Sequence, residues 1–191
     1  MGVPQDRVIE GTVVADKLVV GELGLCGSTS VRQLDWFRNG IRQRLGHPPM
    51  RKKILFLSRG SSGPSNSESI LQSIQTFAKE HGWETYHHND QTLPSLEYQL
   101  GNFSESAIIV APHGAGSTLL FGTLPKACFI ELLAPNDRFN LMYGEIAGRL
   151  SLEYFGLLMA EWRVSPETIL ETIQSCSIFQ RFEQSANPPQ W

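Results

Sequence analysis

The chain has 191 residues, 41% hydrophobic and 18% charged, with a net charge of −3. That is enough apolar mass for one domain with its own core, and the composition excludes wholesale disorder. The weak negative balance gives no global case for binding nucleic acid or an acidic membrane surface, and no apolar run approaches the length of a bilayer span.

The three cysteines, Cys26, Cys128 and Cys176, form no CxxC pair and no metal-ligand spacing with the five histidines. Cys128 lies in an apolar run and reads as a small core residue. The odd count points to a reducing compartment. With no signal-peptide pattern after Met1, the expected location is cytoplasmic, the alternative being the ER or Golgi lumen for a piece of a longer secretory-pathway protein. The sequon at Asn102-Phe103-Ser104 matters in that second case alone. Basic residues gather from Arg42 to Lys53 and read as a solvated face and linker.

Residues 1–25 read as two short extended pieces, followed by a glycine- and serine-rich loop over 21–30. Ser30 is placed to cap a helix in which Val31, Leu34, Phe37, Ile41 and Leu45, three and four apart, share one face. Gly46-His47-Pro48-Pro49 ends it. This makes residues 1–50 an extension, 51–178 the domain and 179–191 a polar tail.

From Arg51 strands and helices alternate. Residues 53–57 (KILFL) are a buried strand, 58–67 (SRGSSGPSNS) a loop, and 68–81 a helix with Ile70, Leu71, Ile74 and Phe77 inward, stopped by Gly82. Residues 83–87 form a second strand, 93–103 a short helix and 107–111 (AIIVA) a third strand. Strand 127–132, helix 140–150, strand 152–157 and helix 166–176, with Pro166 in its first turn, complete the pattern. The predicted fold is α/β: a Rossmann-like parallel sheet with helices on both faces. Ligands bind such sheets at the carboxyl ends of the strands, which puts Ser58 and Arg59 on the same rim as residues 113–116.

The stretch around that rim carries the chemistry. Pro112 breaks the third strand, and His113-Gly114-Ala115-Gly116 follow before a helix through Leu119 and Phe121, capped by Ser117 or Thr118. Strand, glycine turn and helix N-terminus together form an anion site. Arg59, at the end of the first strand, suits bidentate phosphate binding, against the plainer reading of a surface loop arginine. Asn66 or Ser67 caps the following helix, and Asn66 has a compatible second role as a phosphate donor. His113 is the candidate catalytic residue: neutral, it donates to a diphosphate; protonated, it neutralises a leaving group; the alternative is a loop-holding histidine. Glu131 ends a buried strand as a candidate hydroxyl-binding carboxylate, or a cap for the next loop. His87 and His88, adjacent on a strand, point to opposite faces and make a poor metal pair.

Some chemistries are excluded. GAGSTL lacks the third glycine of a dinucleotide fingerprint, and there is neither a GxxxxGK[ST] loop nor a GxSxG nucleophile elbow.

The segments ILFLSR at 54–59, Pro112-His113-Gly114-Ala115-Gly116 and Phe129-Ile130-Glu131-Leu132 resemble glycosyltransferase family 61, as do Met142-Tyr143, the strand at 154–157 and the opening GVPQDR. The resemblance covers about residues 1–158. It implies the carboxyl-terminal, donor-binding lobe of a GT-B-type transferase that moves a sugar from a nucleotide donor, expected to be UDP-linked, to a hydroxyl of a glycan or protein, with inversion. Ser58, Arg59, Asn66, His113, Gly114, Ala115, Gly116, Ser117 and Glu131 are then the donor-site residues, His113 the catalytic one, and no metal or other cofactor is expected. The acceptor-binding lobe is expected to lie outside this chain, and nucleic acid is not an expected partner. The rival reading is a non-catalytic nucleotide-binding or interaction module on the same fold.

Overall fold

The computed structural model describes residues 31–60, 63–135 and 141–185. The expectations for residues 1–30 and for the end of the tail lie outside them. The elements in chain order are α1 (Val31–Leu45), β1 (Arg51–Ser58), α2 (Ser67–Glu80), β2 (Glu84–Asn89), α3 (Leu96–Glu105), β3 (Ser106–Pro112), a 3-10 helix (Ala115–Gly122), β4 (Cys128–Leu133), α4 (Met142–Arg149), β5 (Glu153–Leu158), α5 (Pro166–Ser175) and α6 (Ser177–Gln184).

The five strands form one all-parallel sheet in the order β2-β1-β3-β4-β5. The α/β, Rossmann-like expectation is met. Every residue of β3 and β4 is buried, which is why both read as continuous apolar runs rather than alternating ones. The chain runs from β1 outward to β2, then back past β1 to β3, so the order reverses between β1 and β3. In doubly wound sheets that switch point opens the ligand crevice.

Register sorts the side chains between the two faces. Phe56 pairs with His87 and Val110, and Ser58 with Asn89; Ala111 pairs with Glu131, and Glu131 with Gly156. Side chains alternate, so Phe56, Ser58, His87 and Asn89 share one face, while Leu57, Glu131, Tyr154 and Gly156 share the other. Helices α2, α5 and α6 pack together on the first face. Helices α1 and α3, the 3-10 helix and α4 cover the second.

Local chemistry explains the boundaries. Ser95 caps α3, its Oγ accepting from the Tyr98 amide at 3.3 Å, so that helix starts three residues later than the apolar pattern suggests. Ser165 caps α5 with Pro166 in the first turn. Gly82, at φ +67°, takes the left-handed conformation that ends α2.

Five expectations need correction. Helix α1 is no detached extension, because Leu34 is fully buried and the Arg38 guanidinium donates to the Leu150 carbonyl at 2.6 Å. Its expected apolar face is split: Leu34 points inward, while Val31 and Phe37 stay exposed. The tail is helical as far as Gln184, since Ile178, Phe179 and Phe182 make an inward face that stacks Phe179 on Trp83 and Phe77. Lys53 is not solvated: it is buried and donates to Asn102 Oδ1 at 2.7 Å, which also places the sequon asparagine inside the fold. Finally, Cys128 is not a lone core thiol, because it forms a disulfide with Cys176 that ties β4 to the α5–α6 junction.

Candidate functional site

Two loops meet at the switch point. Continuing the pairing of Phe56 with Val110 by three residues brings Arg59 level with His113. The Arg59 guanidinium reaches across and donates through Nη1 to the His113 carbonyl at 2.5 Å. It lies directly over Gly114, where a Cβ would sit 1.9 Å from Nη1 and 2.4 Å from Cζ. Gly114, at φ +152°, therefore supplies both a backbone conformation and the space for the arginine. Gly116 does a related job below, since a Cβ there would meet Leu57 Cδ1 at 2.8 Å. The glycine pair lets the turn sit down on β1.

The helix after the turn is a 3-10 helix and has no side-chain cap. Neither of the two expected caps acts: Ser117 is buried, and Thr118 Oγ1 donates back to the Ala115 carbonyl at 2.7 Å. The first intrahelical bond runs from the Ser117 amide to the Gly114 carbonyl at 2.9 Å, leaving the amides of Ala115 and Gly116 ahead of it.

His113 is anchored from beneath. Its amide donates to the Leu132 carbonyl at 2.9 Å, and its Nδ1 lies 2.6 Å from Glu131 Oε1. Glu131 is fully buried, and its Oε2 accepts from the Tyr154 hydroxyl at 2.8 Å. The Tyr154 phenol threads between two glycines. A Cβ on Gly144 would meet its ring at 2.9 Å, and one on Gly156 would meet its oxygen at 3.0 Å. Tyr143 packs edge-on against the His113 ring at 5.1 Å. Burial, and then the Glu131 carboxylate, hold the Tyr154 phenol far above its usual range, so it remains a donor.

This geometry revises two expectations. Glu131 does not face the ligand rim, because a fully buried carboxylate with both oxygens engaged is a support for His113. A carboxylate accepts only, so Nδ1 carries the proton toward it. A neutral His113 ring then has a lone pair at Nε2, and it donates from Nε2 only as an imidazolium. With Nδ1–H directed at Glu131, His113 meets a diphosphate oxygen as a donor in its protonated form.

A family model described as Glycosyltransferase 61 matches residues 1–130. The chain belongs to this family.

No curated protein matches the chain. Among solved structures, the diflavin flavoprotein A3 from Nostoc sp. is similar at 11% identity and a TM-score of 0.46, over 71% of this chain and 94% of that one.

In this family 61 chain, Arg59, His113 and Gly114 thus converge on one spot, with Ala115 and Gly116 as the adjoining turn. Three other expected donor-site residues do not join that spot. Ser58 Oγ is 2.8 Å from His87 Nε2, on the opposite face of the sheet. Asn66 donates through Nδ2 to the Val164 carbonyl at 2.8 Å and makes no side-chain cap, so its amide ties α2 to the segment before α5. Ser117 is inside the fold. Tyr154 and His87 were not among the expected site residues. The one sequence signal for Tyr154 is a tyrosine two residues before a glycine in a short strand, which puts both on one face.

Among the described residues, no helix is long and apolar enough to cross a membrane.

Proposed function

We propose that this chain binds a nucleotide sugar, UDP-linked on the family resemblance, at the β1/β3 switch point and serves as the donor lobe of an inverting glycosyltransferase. The observation that carries this reading is the Arg59 guanidinium laid over Gly114, between the ends of β1 and β3 and beside His113. A planar, permanently charged fork on an open glycine turn suits a diphosphate.

In the reaction, an acceptor hydroxyl oxygen bonds to the anomeric carbon while the bond from that carbon to the diphosphate oxygen breaks. The bonding pair leaves on the diphosphate, and the acceptor proton passes to a general base. Arg59, together with His113 as an imidazolium held by Glu131, offsets the charge that develops on the departing oxygen. The Cys128–Cys176 disulfide supports an oxidising compartment for this activity in place of the cytoplasm.

Calorimetric titration with UDP, set against ADP, GDP and CMP, tests the reading. Saturable binding selective for UDP, weakened by Arg59→Ala and by His113→Ala, supports it. Failure of every nucleotide to bind overturns it.

A further inference from the structure

We infer that a second pocket, at the carboxyl ends of β1 and β2, receives the ribose of the nucleotide whose phosphates lie on Arg59. The inference rests on the donor-binding reading above. The cavity measures about 190 Å³ and lies between those strand ends and the first turn of α2. Phe56 and Leu71 floor it. Ser58 and His87, hydrogen-bonded to each other at 2.8 Å, line one side together with Asn89 and Gln91. Glu68 stands exposed at the mouth.

Arg59 connects the two sites. It lines this pocket on one face of the sheet and bonds the His113 carbonyl toward the other. A diphosphate seated on that guanidinium with its reacting end toward His113 sends its nucleoside end over the crest of β1. That path leads into the pocket. At about 190 Å³ and open at its mouth, the pocket has room for a furanose ring with its hydroxyls.

The lining chemistry fits vicinal hydroxyls. The Glu68 carboxylate accepts, the Asn89 and Gln91 carboxamides both donate and accept, and the Ser58 hydroxyl does either. The wall is also braced: the Gly60 amide donates to Asp90 Oδ1 at 3.1 Å and the Gln91 amide to Asn89 Oδ1 at 2.9 Å.

The test is calorimetry on the full chain with uridine, adenosine, guanosine and cytidine diphosphates and their 2′- and 3′-deoxy counterparts. It is repeated on Glu68→Gln and Gln91→Ala, both at exposed positions where folding is preserved. The expected result is a loss of about tenfold in affinity for a deoxy form of whichever ribonucleoside diphosphate binds, the worth of one hydrogen bond. That discrimination should shrink to about threefold or less in at least one variant. Equal binding of ribo- and deoxynucleotides would overturn the ribose pocket and leave the donor reading standing. Discrimination undiminished in both variants would do the same, since the hydroxyls would then be read elsewhere. If no ribonucleoside diphosphate binds, the donor reading fails first and this inference falls with it.

Discussion

The Tyr154 hydroxyl donates to Glu131 Oε2 at 2.8 Å, and the other oxygen of that fully buried carboxylate holds His113. The two residues stand 23 positions apart, and Glu131 lies wholly beneath the rim that His113 faces. Tyr154 thus supports the candidate catalytic residue at one remove, by satisfying the group that orients it.

Tyr154→Phe should cost about 1–3 kcal/mol of stability, because it strips a buried carboxylate oxygen of this donor. The pH dependence should change as well. A phenol whose folded pKa is raised stabilises the fold fully below the unfolded value of about 10, and that contribution is lost as pH rises from there toward the folded pKa. Urea denaturation from pH 8 to 11 should show wild-type stability falling above pH 10, with this component absent from the variant. An identical alkaline slope in both proteins would contradict the assignment.

Glu131→Gln keeps the shape but removes the charge that faces Nδ1 of His113. On the proposed chemistry the turnover number for sugar transfer should drop by about 10² or more, as expected for a disabled acid–base group. The donor KM should change by far less, since Glu131 touches no ligand. Steady-state kinetics separates the two parameters. Equal losses in both would point to a collapsed loop instead of a misoriented imidazole.

Gly114→Ala places a Cβ where the Arg59 guanidinium now lies. The clash is with the far end of a flexible side chain, so the arginine swings away and the fold survives. The backbone strain at φ +152° costs about 1–3 kcal/mol. Nucleotide affinity should fall as far as in Arg59→Ala, and the double variant should be no weaker than either single one. Additive losses would show that the glycine and the arginine act separately.

The sheet was legible because its central strands are buried on both faces, and runs such as Ala107–Ala111 admit few other readings. Arg59 and the turn after β3 could also be placed from sequence, since the rule about strand ends needs only element order. What escaped depends on register and docking. Glu131 looked like a ligand group until its pairing with Gly156 put Tyr154 on the same face, over a residue with no side chain. Asn66 looked like a cap, but its amide is drawn to Val164, 98 positions away. Helix α6 was hidden by a polar composition in which three buried residues, Ile178, Phe179 and Phe182, carry the packing.

The disulfide shows the same limit and makes the most direct test. Cys128 and Cys176 are 48 residues apart, and no spacing rule pairs them; their Cα atoms come within 6.0 Å because α5 ends against β4. Both are fully buried, so reductant should reach them only on opening of the fold. Thiol titration in guanidinium should find one free thiol per chain before reduction, that of Cys26, and three after it. In the chain-entropy account, closing a loop of this length stabilises the fold by about 4 kcal/mol. Cys176→Ser should therefore melt well below wild type, while added reductant should lower the wild-type melting temperature and leave the variant unmoved. Three thiols before reduction would mean that the bond does not form in the isolated protein, and the argument for an oxidising compartment would go with it.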